Sequence, residues 1–324
     1  MAKRPSFEEK LERLNAIDPC ALGDADRDAI RHALEGPEGI LAGKAARLAR
    51  DAGLSEWAPL LAKAFERFLD KPERDKGCAA KIAIAEILNE WESDDSELFL
   101  RGSRHVQMEP AWGPPVDTAQ ELRGPCAAGL ARLGHPEALF ELARLLMDEQ
   151  VPPRRAAARI LAALGREEGE LLLRMKAMAP DCDADTLADC LAALMKLAPA
   201  RSLPFVACYL EHSDPQVAEA AETALGESRD PAALRMLIAR RESIVDAAPR
   251  RRLLLPIALS RLEDAFEYLL AVVQEENEPA ALAAMEALGL FAAEAAKRRR
   301  ARQAAHAGGG ALQSVYRKAF GDKD

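Results

Sequence analysis

Apolar residues recur along this chain at the spacing of one helical face. In PRRAAARILAALG, from Pro153 to Gly165, the residues Ala156, Ala157, Ile160, Leu161 and Leu164 form the stripe of an amphipathic helix. The stretch LRGPCAAGLARLG, from Leu122 to Gly134, repeats the pattern 31 residues earlier, with Arg123 matching Arg154, Leu130 matching Leu161 and Gly134 matching Gly165. Looser copies begin at Thr186, Val217 and Arg251, and another closes on MEALG from Met285. The anchor position runs Leu130, Leu161, Leu194, Leu225, Leu259 and Met285, with spacings of 31, 33, 31, 34 and 26.

Each copy is followed by a turn, such as GHP at Gly134, PARS at Pro199 or SRDP at Ser228. A second amphipathic segment comes next, as in EALFELARLLM from Glu137 and AALRMLIARR from Ala232. Two helices of three to four turns with their connections take roughly 30 to 45 residues, the unit of a helical repeat array. The pattern predicts an all-α fold, a right-handed α-solenoid of about seven to eight antiparallel helix pairs. Upstream the pattern is looser: Glu56 opens a first helix, and Gly43 and Cys78 open second helices anchored on Leu48 and Ile84. The step from Ile84 to Leu130 is 46, about 15 more than the repeat, so an insertion lies between them.

The expected organisation is one continuous solenoid with four parts. Residues 1–101 hold degenerate repeats, 102–117 the insertion, 118–296 the regular repeats, and 297–324 a basic cap with a short helix. DPQVAEAAETALG from Asp214 and PPRRAAARILAALG from Pro152 resemble the second helix of HEAT repeats. They resemble in particular the bacterial HEAT-like type also found in phycobilin lyases, with its Asp-Pro turn, Val-Arg start and Ala-Leu-Gly close. The resemblance implies a repeat fold that serves scaffolds, lyases and DNA-repair proteins alike. Arg123 and Arg154 keep the arginine of the Val-Arg start, whereas Leu187 and Ala218 replace it later.

Composition sharpens the fold. Of 324 residues 49% are hydrophobic but only 5% aromatic, so Ala and Leu carry the apolar share, which favours helix over sheet. The net charge of −9 argues against a generally basic, nucleic-acid-coating surface. The six cysteines are dispersed with no CxxC pair, as expected of reduced thiols in a cytoplasmic protein. MAKRPSFEEKLERL at the start has no apolar run of a signal peptide, and no later run reaches the ~18 apolar residues of a membrane span.

The insertion, GSRHVQMEPAWGPPVD, holds three prolines and two glycines, which exclude continuous helix. In and beside it stand Arg101, Arg104, His105, Gln107, Glu109, Trp112 and Asp117. Two readings follow. Either Trp112 anchors a partner with a charged rim around it, or Trp112 and Val106 plug the groove as a brace while Glu109 pairs with Arg104 or Arg123. His105 has no second ligand at metal spacing, and no metal or cofactor is expected. Asp181, Asp183 and Asp185, like Asp24, Asp26 and Asp28, fit part of a calcium loop but lack its glycine, and read better as helix caps.

No P-loop, GxSxG elbow or Cys-His nucleophile pattern is present. Trp57, Trp91 and Trp112 offer aromatics of the kind that HEAT-like alkylpurine DNA glycosylases use on a basic concave face, but no motif of theirs matches here. The arginines Arg154, Arg155 and Arg159, and Arg250, Arg251 and Arg252, open second helices and either pair with nearby carboxylates or offer a site for an acidic ligand. Lys297, Arg298, Arg299, Arg300 and Arg302 leave the rest of the chain at −14. They form either a patch for nucleic acid or membrane, or the cationic end of the array, with ALQSVYRKAF docking back as a cap. The leading function is a non-enzymatic protein-binding scaffold with the insertion and Arg123 and Arg154 at its site. The alternatives are nucleic-acid binding through the arginines, and a tetrapyrrole lyase or chaperone.

Overall fold

Short helices separated by well-capped turns build the chain. The computed structural model describes residues 5–180 and 182–321, and it is all-helical apart from one small hairpin. The fold is an all-α solenoid of helix pairs, and its contacts divide it into two units, Met1–Leu164 and Gly165–Asp324.

In the first unit α1 (Phe7–Asn15) precedes four helix pairs. These are α2 (Asp24–Glu35) with α3 (Gly39–Asp51), α4 (Ala58–Asp70) with α5 (Ala79–Glu90), α6 (Ser96–Ser103) with α7 (Gln120–Arg132), and α8 (Ala138–Leu146) with α9 (Val151–Leu164). Second helices stack on second helices, α3 on α5, α5 on α7 and α7 on α9. Small residues permit the approach. A Cβ at Gly124 of α7 would lie 2.8 Å from the Ala156 Cβ of α9, and one at Gly129 2.6 Å from the Phe99 ring of α6.

In the second unit α10 (Glu167–Ala177) pairs with α11 (Ala184–Leu197), and α12 (Pro199–Ala207) with α13 (Pro215–Glu227). The next pair is α14 (Pro231–Ser243) with a second helix broken into α15 (Ala247–Arg252) and α16 (Leu254–Leu259). Then come α17 (Glu263–Glu275) with α18 (Glu278–Leu288), and the terminal pair α19 (Ala295–Ala307) and α20 (Gly310–Phe320). Each unit holds four such pairs, and the second unit adds this terminal one. Its helix α20 does dock, burying Leu312 and Phe320 and packing along α18.

The Asp-Pro turns have a local cause. Asp214 and Asp230 accept hydrogen bonds from the first free N–H groups of α13 and α14, while Pro215 and Pro231 sit at N1, where no N–H is needed. Asp183 caps α11 by accepting from Thr186 N at 2.8 Å, and Asp26 accepts from Gly23 N at 3.1 Å, so these carboxylates act as caps. Asp181 lies outside the described residues.

The anchors Leu48, Ile84, Leu130, Leu161, Leu194, Leu225 and Met285 are buried. Leu259 is only half-buried, because the break at Leu253 turns that helix and hands its place to Ile257 and Ala258.

Candidate functional site

The irregular segment between α6 and α7 folds into an antiparallel hairpin of β1 (Met108–Ala111) and β2 (Gly113–Asp117). Helix α6 runs through Ser103, so Gly102 and Ser103 belong to the repeat. Met108 faces Asp117 and Glu109 faces Val116, with a bulge before Ala111 meets Gly113. This leaves Trp112 as the tip, and Gly113, at φ +144°, takes the conformation the reversal demands. A two-stranded ribbon this short is marginal unless its base is tied down.

The base is tied by a buried polar network. Arg123, on the first turns of α7, is 1% exposed. It donates from Nη1 to Asp117 Oδ2 at 2.6 Å and to the His105 carbonyl at 3.1 Å, and from Nη2 to Asp148 Oδ1 at 3.1 Å. Asp117 Oδ1 in turn accepts from the Gln107 and Ala119 backbone N–H groups at 3.1 and 3.0 Å. Burial raises the Asp117 pKa, but these bonds outweigh it and hold the carboxyl below the ordinary aspartate range. Gln107 donates from Nε2 to the Asp75 carbonyl at 2.9 Å and to Glu109, and Glu109 accepts from Gly77 N at 2.9 Å. Beneath them Asp75 and Lys81 form a buried ion pair at 3.2 Å. Burial lowers the His105 pKa, only partly offset by its contact with Gln107 Oε1 at 3.3 Å, so its imidazole is held neutral.

A second cluster lies to the side, where Arg104 donates from Nε to Glu141 Oε1 at 2.7 Å and Arg144 from Nε to Glu141 Oε2 at 3.0 Å. Arg101 pairs at 2.8 Å with Asp70 in solvent. Arg154 donates to the Asp148 and Glu149 carbonyls at 2.8 and 3.0 Å.

The structure thus gathers His105, Gln107, Glu109, Asp117 and Arg123 at the hairpin base, with Arg154 on the first turn of α9, and sends Arg101, Arg104 and Trp112 elsewhere. The expected brace does not form as the sequence reading described it. Trp112 is fully exposed and Val106 is exposed, so neither plugs a groove. Glu109 bonds to Gln107 and Gly77 and to neither arginine, because Arg104 is held by Glu141 and Arg123 by two aspartates. Asp75, Lys81, Glu141 and Asp148 escaped the sequence reading. The available signal was Lys81, a charge inside the apolar run AAKIAIA.

Around this fixed base lies a groove of about 650 Å³, with Val106, Met108, Val116 and Met147 on its rim and Asp117, Arg123 and Asp148 within. All four rim residues are exposed apolar side chains. Of the three tryptophans, Trp57 is buried and Trp91 half-buried, so they share no aromatic wall with Trp112. Several arginines of the second unit are held in ion pairs with residues of neighbouring repeats. Arg252 meets Glu219 at 2.7 Å and Glu222 at 3.2 Å, and Arg250 and Arg241 meet Glu276 at 3.3 and 2.8 Å. Among the described residues no group of three or more His, Cys, Asp or Glu is placed to hold a metal. No helix among them is long and apolar enough to cross a membrane.

In comparisons with protein-family models and with curated proteins, nothing matches the chain. Solved structures do. The complex of CpcE and CpcF of phycocyanin lyase from Nostoc sp. is similar at TM-score 0.40 and 18% identity, over 78% of this chain and 94% of that one. An engineered protein is similar at TM-score 0.40 and 13% identity, over 98% and 96%. Human deoxyhypusine hydroxylase in complex with glycerol is similar at TM-score 0.30 and 16% identity, over 91% and 95%.

Proposed function

We propose that this chain is a non-enzymatic scaffold of HEAT-repeat type that presents the Met108–Asp117 hairpin to a protein partner. One observation carries the reading. A fully exposed tryptophan stands at the tip of a ribbon whose base is locked by a buried Arg123–Asp117 pair. An indole in water stabilises nothing in the free chain, whereas tryptophan seated in a partner's pocket is among the strongest interface anchors. The locked base limits the conformational entropy lost when the tip is captured. The apolar rim of Val106, Met108, Val116 and Met147 extends the contact beyond the tip.

The test is a photo-crosslinking amino acid at position 112, with the same probe at exposed Arg235 as control. A discrete adduct from position 112, absent at 235, is the expected result. Trp112→Ala should weaken capture of that same species by about tenfold or more while leaving unfolding free energy within about 0.5 kcal/mol. Identical adducts from both positions, or undiminished capture by Trp112→Ala, would remove the proposal.

A further inference from the structure

The turn from α14 into α15 and the turn from α17 into α18 meet at a cleft of about 400 Å³. Arg241, Arg250 and Arg251 line it with one carboxylate, Glu276. Pro279, Ala280 and Val245, which is 98% exposed, make much of the remaining wall apolar. Asn277, also in the wall, is spent on capping α18, where its Oδ1 accepts from Ala280 N at 3.2 Å.

The three arginines differ in what they have already bonded. Arg241, fully buried, grips Glu276 with a two-pronged fork, Nη1 to Oε1 at 2.8 Å and Nη2 to Oε2 at 2.9 Å, and donates from Nη1 to Tyr268 Oη at 2.7 Å. The bonds from Arg241 hold Glu276 below the ordinary glutamate range, so it stays ionised and committed. Arg250 reaches the same Oε1 only at 3.3 Å, from Nη2, lies 3.6 Å from Glu242, and spends no other side-chain N–H among the described residues. The Arg251 side chain is exposed and makes no hydrogen bond or ion pair among them. Two guanidinium groups with most of their donors unspent therefore line one concavity, beside a buried fork that fixes its shape.

Planar guanidinium groups match the paired oxygens of a carboxylate. The surrounding charge favours a ligand with a single negative charge. Three guanidinium groups share Glu276 and Glu242, while Asp246, Glu275 and Glu278, exposed beside the same turns, repel a polyanion. We propose that this cleft binds a ligand with one carboxylate on a compact apolar body, the carboxylate meeting Arg250 and Arg251 and the body resting on Val245 and Pro279. The volume is that of a small-ligand site. The inference is independent of the hairpin reading, since it rests on other residues.

An NMR titration of the isotope-labelled full chain, followed at the backbone amides of Val245, Ala247 and Ala280, tests it with N-acetyl-leucine, isocaproate and N-acetyl-leucinamide. Both acids should shift these amides and saturate, whereas N-acetyl-leucinamide, which has the same body and no charge, should not. Tighter binding of N-acetyl-leucine marks the end of a peptide chain as the source of the carboxylate. Equal or tighter binding of isocaproate marks a free small acid. Arg251→Gln should weaken both acids by about tenfold or more, as loss of a charged hydrogen bond does. Because the Arg251 side chain has no partner among the described residues, this variant should keep the native spectrum away from the cleft. Arg235→Gln, exposed on α14, should bind as the native chain does. No shift with either acid, equal shifts with N-acetyl-leucinamide, or a loss absent from Arg251→Gln or shared by Arg235→Gln would overturn the site. So would inorganic phosphate binding more tightly than either acid.

Discussion

Two arginines of the insertion region look alike in sequence and differ in energetic weight. Arg101 and its partner Asp70 stand in solvent, where such a pair is worth about 0 to 1 kcal/mol. Arg123 is buried between Asp117 and Asp148, and removing it strands carboxylates away from water. Arg123→Met should therefore cost about 3 to 5 kcal/mol in urea unfolding, against less than about 1 kcal/mol for Arg101→Ala. Equal losses would show that the base of the hairpin is not the locked element described here. The same network sets a pH dependence. Burial holds the His105 imidazole below its ordinary pKa, so its contribution is complete above about pH 6.5 and is lost as pH falls toward the lowered folded value. Asp117 and Glu141 are held below the ordinary carboxylate range by their arginine partners, despite burial, so their contribution is lost only at lower pH, as they protonate. Stability should fall in two stages on acidification, and His105→Asn should remove the upper one. A single low-pH stage in the native chain would contradict this.

At the scale of the element, what could be read in the sequence depended on whether a local pattern decided the outcome. The helices from Leu122 to Gly134 and from Pro153 to Gly165 were legible because apolar spacing and capping residues act within a few residues of one another. The hairpin was not: MEPAWGPPV has little of the alternation of a strand, and its base is held by Arg123 from the following helix and by Asp75 and Gly77, some thirty residues upstream. The helix broken at Leu253 has a local cause that was overlooked: Pro256 has no N–H to give and its ring crowds the carbonyl of Arg252, where α15 ends. A Cβ built at Gly226 of α13 would overlap the Pro256 carbonyl of α16, so the two helices meet backbone to side-chain-free backbone. Alanine is the better helix former by about 1 kcal/mol, yet Gly226→Ala should destabilise by about 1 to 3 kcal/mol, the range for overpacking. Gly310, at the start of α20 with open space around it, is the control, and Gly310→Ala should be neutral or stabilising by about 0.4 to 1 kcal/mol. Gains at both positions would mean that helix propensity outweighs the packing of α13 on α16.

At the scale of the molecule, the repeat spacing counted helix pairs well but hid the division into two units at Leu164 and Gly165. The sequence runs through that point in phase, closing α9 on the same Ala-Leu-Gly that closes other copies, so no change of composition marks it. What marks it is where contacts concentrate, a property of the folded chain. In a repeat array each pair is supported mainly by its neighbours, and a set of pairs with its own buried centre behaves as a folding unit. The first unit has such a centre, with Leu34, Leu61, Phe65, Phe68, Ile84, Phe99, Leu122 and Leu130 all fully buried in one cluster. Residues 5–164 produced alone should therefore be helical and melt in one cooperative transition. Arg123→Met should lower the midpoint of this fragment as it does in the full chain, because every partner of Arg123 lies within it. A fragment that lacks a cooperative transition, or whose midpoint ignores Arg123→Met, would show that the core and the buried network of the first unit do not stand on their own.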